Sequence, residues 1–205
     1  MKRVEWLSGL IALEMGLTSE VTARLKRAAV NHDIGEDLKP WLFYDNRDQD
    51  FTQDNVLEAK SHPRDGAEML LENPLAFGVR EEDAAEVSVM IEFHHEHFES
   101  SREKCRTRAK ELGIQFRKTS LDCLVRCVNI LKVADYFFAR AEKRPYQKEQ
   151  VEGKRNSKEI LTPTEILDVM AFTVGRQFCP DTYKALVELK EAAFQYVTLT
   201  LTLAS

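Results

Sequence analysis

Apolar residues recur along most of this chain at the spacing of one helical face, and little of it alternates as a strand would. Near the start Val4, Leu7, Ile11 and Met15 form a stripe that Leu10 and Leu17 widen, which predicts a first helix. Thr18 or Ser19 can cap a second helix, with Glu20 in its first turn where a negative charge suits the dipole. On that helix Val21, Leu25, Ala28 and His32 share a face, so His32 points into the interior. The pattern breaks over residues 36–51, where Pro40, Asn46 and a cluster of Asp and Arg predict an ordered loop. Trp41, Leu42 and Phe43 would anchor it on the core. A helix is expected from Thr52 to Lys60, and another initiated by Pro63 just after His62. Asn73, Pro74 and Gly78 close that segment.

Residues 81–98 read as one helix with Val87, Ile91, His94, His95 and Phe98 on one face. A polar stretch over 99–120 follows, in which Arg102, Lys104, Arg106, Arg108, Lys110, Arg117 and Lys118 outnumber Glu99, Glu103 and Glu111. It is either a solvated face or an anion-facing one. The strongest helical pattern covers 121–142: Leu121, Leu124, Val128, Leu131 and Phe138 share a face with Asp135 in its middle. A charged loop over 147–160 precedes Thr162-Pro163-Thr164-Glu165, a full helix-start signal. That helix is expected to end at Gly175, and Pro180 opens a last one to about Gln195. The alternating Thr and Leu of 197–203 predict a frayed helix end or a docked extended tail. The expectation is an all-α helical bundle over residues 1–196, with a tail over 197–205.

Composition narrows this modestly. The 205 residues fit one domain, and shares of 43% hydrophobic and 31% charged residues are those of a globular protein. A net charge of −5 gives no general reason to expect nucleic acid or an anionic membrane. The apolar run over 4–17 is interrupted by Glu5 and Glu14 and is too short to span a bilayer. No membrane span is therefore expected. Cys105, Cys123, Cys127 and Cys179 form no CxxC pair, which reads as free thiols in a reducing cytoplasm.

The chemistry lies in four pieces: His32-Asp33, His62, His94-His95 and Asp135. An ionised carboxylate such as Asp135 on a core-facing stripe costs several kcal/mol unless it is paired or bound to a cation. A buried Arg would satisfy it, but four histidines and two aspartates at positions on which several helices could converge are better explained by one shared metal site. A carboxylate can bridge two cations while imidazoles complete their shells, an arrangement suited to phosphoester hydrolysis. His97 is expected at the surface.

In order, Ala28-Ala29-Val30-Asn31-His32-Asp33-Ile34-Gly35, His62-Pro63-Arg64-Asp65-Gly66, His94-His95-Glu96, Val133-Ala134-Asp135 and Arg144-Pro145-Tyr146 resemble an HD-GYP domain of the HD phosphohydrolase superfamily. The resemblance implies an all-α HD-domain bundle with a metal centre between its helices. It implies His32, Asp33, His62, His94, His95 and Asp135 as ligands of two divalent transition-metal ions, iron or manganese. It also implies hydrolysis of cyclic di-GMP, with Asp33 linking the metals and Arg144 holding a phosphate oxygen.

The departures fall on the substrate side. Glu36 stands where the family carries Lys, and would repel a phosphate; Gln147 replaces a common basic residue. The Gly-Tyr-Pro loop is absent, with Arg102-Glu103-Lys104 in its place, and the position of a first-helix His ligand falls before Met1. The expectation is a metal-dependent phosphohydrolase with weak or absent activity on cyclic di-GMP, in which residues 99–120 pack beside the cleft and lend it positive charge. The alternative is a catalytically weak or inactive domain that acts as a cyclic-dinucleotide receptor or protein-interaction module. Expected partners are a phosphodiester or cyclic dinucleotide, with a regulatory protein or a second copy as further candidates.

Overall fold

The structure, a computed structural model, describes residues 2–43, 53–116, 120–141 and 161–203. Within them the chain is helical throughout, in the order α1 (Lys2–Glu14), α2 (Ser19–Asn31), α3 (Pro40–Phe43), α4 (Gln53–Ala59), α5 (His62–Glu72) and α6 (Glu81–Glu92). There follow α7 (Phe98–Glu111), α8 (Leu121–Ala141), α9 (Pro163–Ala171), α10 (Pro180–Glu188) and α11 (Lys190–Leu203). Two 3-10 turns, η1 (Ile34–Leu38) and η2 (Pro74–Phe77), follow α2 and α5 respectively. No strand occurs among the described residues, only an isolated bridge between Val174 and Phe178. No described helix is long and apolar enough to cross a membrane.

The bundle is built around α8, which touches α1, α2, α6, α7, α9 and α10. Its sequence explains this place: from Cys127 to Asp135 every residue is buried, so the helix has no solvent face there. Leu7 and Ile11 of α1, Leu25 of α2, Met90 and Ile91 of α6 and Ile166 of α9 join it in the same apolar core. Burying each such side chain stabilises the fold by about 1.5–3 kcal/mol.

The helix starts follow local chemistry. Thr18 accepts from the Val21 amide at the head of α2. Thr162 and Glu165 form a reciprocal capping box at α9, as the Thr-Pro-Thr-Glu run predicts. Three expected boundaries move. Over residues 36–43 the expected loop is replaced by η1 and the single turn α3, where Leu42 is fully buried while Trp41 is half exposed; residues 44–51 lie outside the described residues. The last helix divides at Leu189, and the Thr–Leu stretch is helical to Leu203.

The third displacement matters most. Residues 81–98 do not form one helix: α6 stops at Glu92, a turn carries His94 and His95, and Phe98 begins α7. On a continuous helix two adjacent side chains diverge by about 100°. Leaving the helix lets both imidazoles face one point, with ring centroids 3.9 Å apart.

Candidate metal centre

His32 is the C-cap of α2, and Asp33 starts η1 immediately after it. His62 opens α5, followed by Pro63, which suits a first helical turn. The distance between these two elements is set by backbone against backbone. A Cβ on Gly35 would lie 2.1 Å from the His62 carbonyl oxygen and 2.7 Å from the Gly66 amide nitrogen. Only glycine lets η1 settle on α5 this closely, and that contact brings Asp33 and His62 together.

Three imidazoles are oriented by one repeated device. The Nδ1 of His32, His62 and His94 lies 2.9, 2.7 and 2.6 Å from the carbonyl oxygens of Ala29, Ala59 and Ile91, each three residues earlier. In the neutral ring that Nδ1 must be the donor, so Nε2 carries the lone pair and faces the centre.

The six expected ligands converge. His32 Nε2 lies 3.1 Å from Asp33 Oδ2 and 3.4 Å from Asp135 Oδ1. His62 Nε2 lies 3.5 Å, and His94 Nε2 3.9 Å, from Asp33 Oδ1. His95 places Nδ1 3.8 Å from Asp135 Oδ2 and Nε2 3.3 Å from His62 Nε2. The two adjacent histidines differ in setting: His94 is fully buried, whereas half of the His95 side chain is exposed. His95 therefore forms the open side of the cluster.

Charge is arranged to favour a cation. Burial alone would push His32 down, but the carboxylates of Asp33 and Asp135 hold it up at about 10, so with no metal a proton takes the inward Nε2 where a cation would bind. Asp33 stays well below the usual carboxylate range despite its own burial, because His32 and His62 face it. His94 is driven the other way by burial and by its histidine neighbours, so it is neutral. Its Nε2, like that of His32, is buried and makes no aligned hydrogen bond. A neutral imidazole with an inward lone pair and no donor opposite it is a ligand without its acceptor. The donor set of imidazole nitrogens and carboxylate oxygens fits divalent transition metals. Among the described residues three groups of side chains bring their ligand atoms within 4.8 Å of one another: His62, His94 and His95; His32, Asp33 and His94; and Asp33, Glu36 and His62.

Two residues enter that the sequence reading placed otherwise or passed over. Glu36 is buried, and its carboxylate lies in the third group, beside Asp33 and His62. Its signal was the single 3-10 turn between Asp33 and position 36. Lys132, buried in α8 one turn before Asp135, donates 2.6 Å to the Glu96 carbonyl and 3.4 Å to that of His95. It ties the turn bearing the two histidines to the helix bearing Asp135. A charged residue inside the run Ile130-Leu131-Lys132-Val133 was the available sign.

The basic stretch after the His pair forms α7, which packs on α8 and α6. Its charges meet carboxylates: Arg102 pairs with Asp122, Lys104 with Glu96, Arg106 with Glu103, and Arg108 with Glu92 and Glu111. Only Lys104 touches a residue adjoining a ligand, and Glu96 neutralises it. The positive charge expected for the cleft is thus already paired in these side chains. His97 is exposed at the start of α7. Arg144 and Gln147 lie outside the described residues.

The model of the HD domain matches residues 1–140, about two thirds of the chain. The chain belongs to the HD domain family, an all-helical fold within a superfamily of metal-dependent phosphohydrolases. All six expected ligands fall inside the matched residues. A search of curated proteins finds no match.

Proposed function

We propose that the chain is a metal-dependent phosphohydrolase of a divergent HD-GYP type, acting on a phosphodiester such as a cyclic dinucleotide. His32, Asp33, His62, His94, His95 and Asp135 would hold two divalent ions, iron or manganese. Such ions, when bound, supply Lewis-acid stabilisation of phosphoryl charge and activation of water. Asp33 presents its two carboxylate oxygens to different neighbours, Oδ2 to His32 and Oδ1 to His62 and His94, as a bridging ligand must. Arg144 is assigned to a phosphate oxygen. His95, on the open side, stands where substrate would approach.

The observation that carries this reading is the shared orientation of three imidazoles, each with Nδ1 held by a backbone carbonyl and Nε2 turned to the carboxylates. The test is hydrolysis of cyclic di-GMP and of an activated phosphodiester by protein loaded with manganese or iron. Metal-dependent turnover of either, lost in Asp135→Asn, is expected.

One observation favours a second reading, a cyclic-dinucleotide receptor or interaction module. Arg102, Lys104 and Arg106 are engaged by carboxylates of the same chain, which leaves fewer cations to stabilise the charge that develops on phosphorus during cleavage. Metal binding with tight cyclic di-GMP binding and no turnover of either substrate would select it.

A further inference from the structure

Resting on that metal-dependent reading, we propose that the loop over residues 172–179 clamps the turn bearing His94 and His95, with Phe178 as a positioning residue for that pair. The loop lies beyond the residues matched to the HD domain. The turn interrupts the helical ladder, since α6 ends at Glu92 and α7 begins at Phe98. Two imidazoles keep one aim only if the backbone that carries them is held in place from outside.

The start of α7 shows the first hold. The opening amides of a helix have no partner within it, and His97 at the N-cap makes no side-chain capping bond. The amides of Phe98 and Glu99 instead donate to the carbonyls of Gln177 and Arg176, at 3.2 and 3.3 Å. The loop is stiff enough to present those carbonyls. Its Gly175 amide donates to the Phe178 carbonyl at 2.8 Å, and its Gln177 amide to that of Thr173 at 2.8 Å.

Phe178 supplies the second hold. It is fully buried, with its ring centroid 5.5 Å from Lys132 Nζ and 4.9 Å from that of Tyr136, the neighbour of Asp135. Lys132 Nζ in turn donates to the carbonyls of His95 and Glu96. An ammonium over an aromatic face is attracted to it, so the ring keeps Lys132 directed at the turn. The loop thus grips this turn at two points, through the residues that follow the His pair and through the cation bonded to the His95 carbonyl. Phe178 acts on the ligands through Lys132, and the C-terminal helices are thereby coupled to the open side of the cluster.

Manganese alone is the probe, with binding read by calorimetric titration and stability by thermal unfolding. Phe178→Leu keeps an apolar side chain but removes the aromatic face, and Mn²⁺ should bind about tenfold more weakly, as when other groups that orient ligands are lost. Leu186→Ala, at a fully buried position of α10, is the control for stability alone. It should lower the melting temperature at least as much and leave Mn²⁺ affinity unchanged. Wild-type affinity in Phe178→Leu, or an equal weakening in Leu186→Ala, overturns the proposal, because the loop would then contribute only stability. Gly175→Val guards against misfolding of the Phe178 variant. Gly175 is exposed at φ +89° with open space where a Cβ would point, so valine strains the loop without displacing a core side chain. It too should bind Mn²⁺ more weakly, with faster hydrogen exchange at the Phe98 and Glu99 amides; unchanged Mn²⁺ affinity in this variant refutes the clamp. A wild-type chain that binds no Mn²⁺ would instead defeat the parent reading.

Discussion

Two buried clusters of charged side chains lie between the helices, and their chemistry differs. In one, Arg24 of α2 is surrounded by carboxylates: Glu20 at 3.0 Å, Glu86 at 3.1 Å and Asp83 at 3.5 Å. A guanidinium with several donors answers them, and the cluster ties α2 to α6. In the other, Asp33 and Asp135 face His32, His62, His94 and His95, whose rings are aimed by backbone carbonyls. The first cluster sets a guanidinium against carboxylates, charge against opposite charge, and reads as structure. The second sets the neutral His94, its Nε2 turned inward, beside two carboxylates and reads as a receiver for cations. Substitutions should separate the two by what they damage.

The largest effect is expected from Gly35→Ala, which strikes fold and site together. Its new methyl group would meet the His62 carbonyl at 2.1 Å, backbone that no rotamer can move aside. A loss of roughly 4 kcal/mol or more is expected, with metal uptake lost as well. Thermal unfolding and elemental analysis of the same preparation would check both, and a normal melting temperature would break the account of this contact. Arg24→Met comes next. Removing one partner of a buried ion cluster costs about 3 kcal/mol or more, while manganese uptake by the folded fraction should not change. Denaturant titration beside metal titration tests this, and a selective loss of metal would erase the distinction between the clusters.

Lys132→Met should show the reverse balance. Two carbonyls lose a donor, yet a buried ammonium also disappears, so the stability change is held to about 1 kcal/mol. The turn bearing His94 and His95 loses its tether, and metal affinity should fall about tenfold, as for other groups that orient ligands. Calorimetric titration with manganese reads this directly. The smallest effect belongs to Thr162→Ala, distant in sequence from every ligand. Loss of the capping box should cost about 1 kcal/mol with metal affinity unchanged.

Much of the fold was legible because its determinants are local. The caps at Thr18 and Thr162, the Pro63 start of α5 and the apolar face of α8 all announce themselves within a few residues. The candidate ligands were legible for another reason, since His32 and Asp135 stand out as polar residues on apolar faces. The His pair was expected on a continuous helix and lies instead on a turn. Periodicity carries a helix through residue 98, but α6 ends at Glu92. The burial of Glu36 was not legible, because its environment depends on the Gly35–His62 approach between distant segments. The ion pairs of α7 were equally hidden: Arg102 reaches Asp122 across 20 residues and Arg108 reaches Glu92 across 16.

The central claim is that the histidine–aspartate cluster is a receiver for divalent cations. It is tested most directly by elemental analysis of the purified wild-type chain, expressed with iron or manganese supplementation and prepared without chelator. The account predicts about two transition-metal ions per chain, as in two-metal phosphohydrolytic sites. Protein that contains none under these conditions, with His32 and His94 hydrogen-bonded to protein groups in an experimental structure, would contradict it.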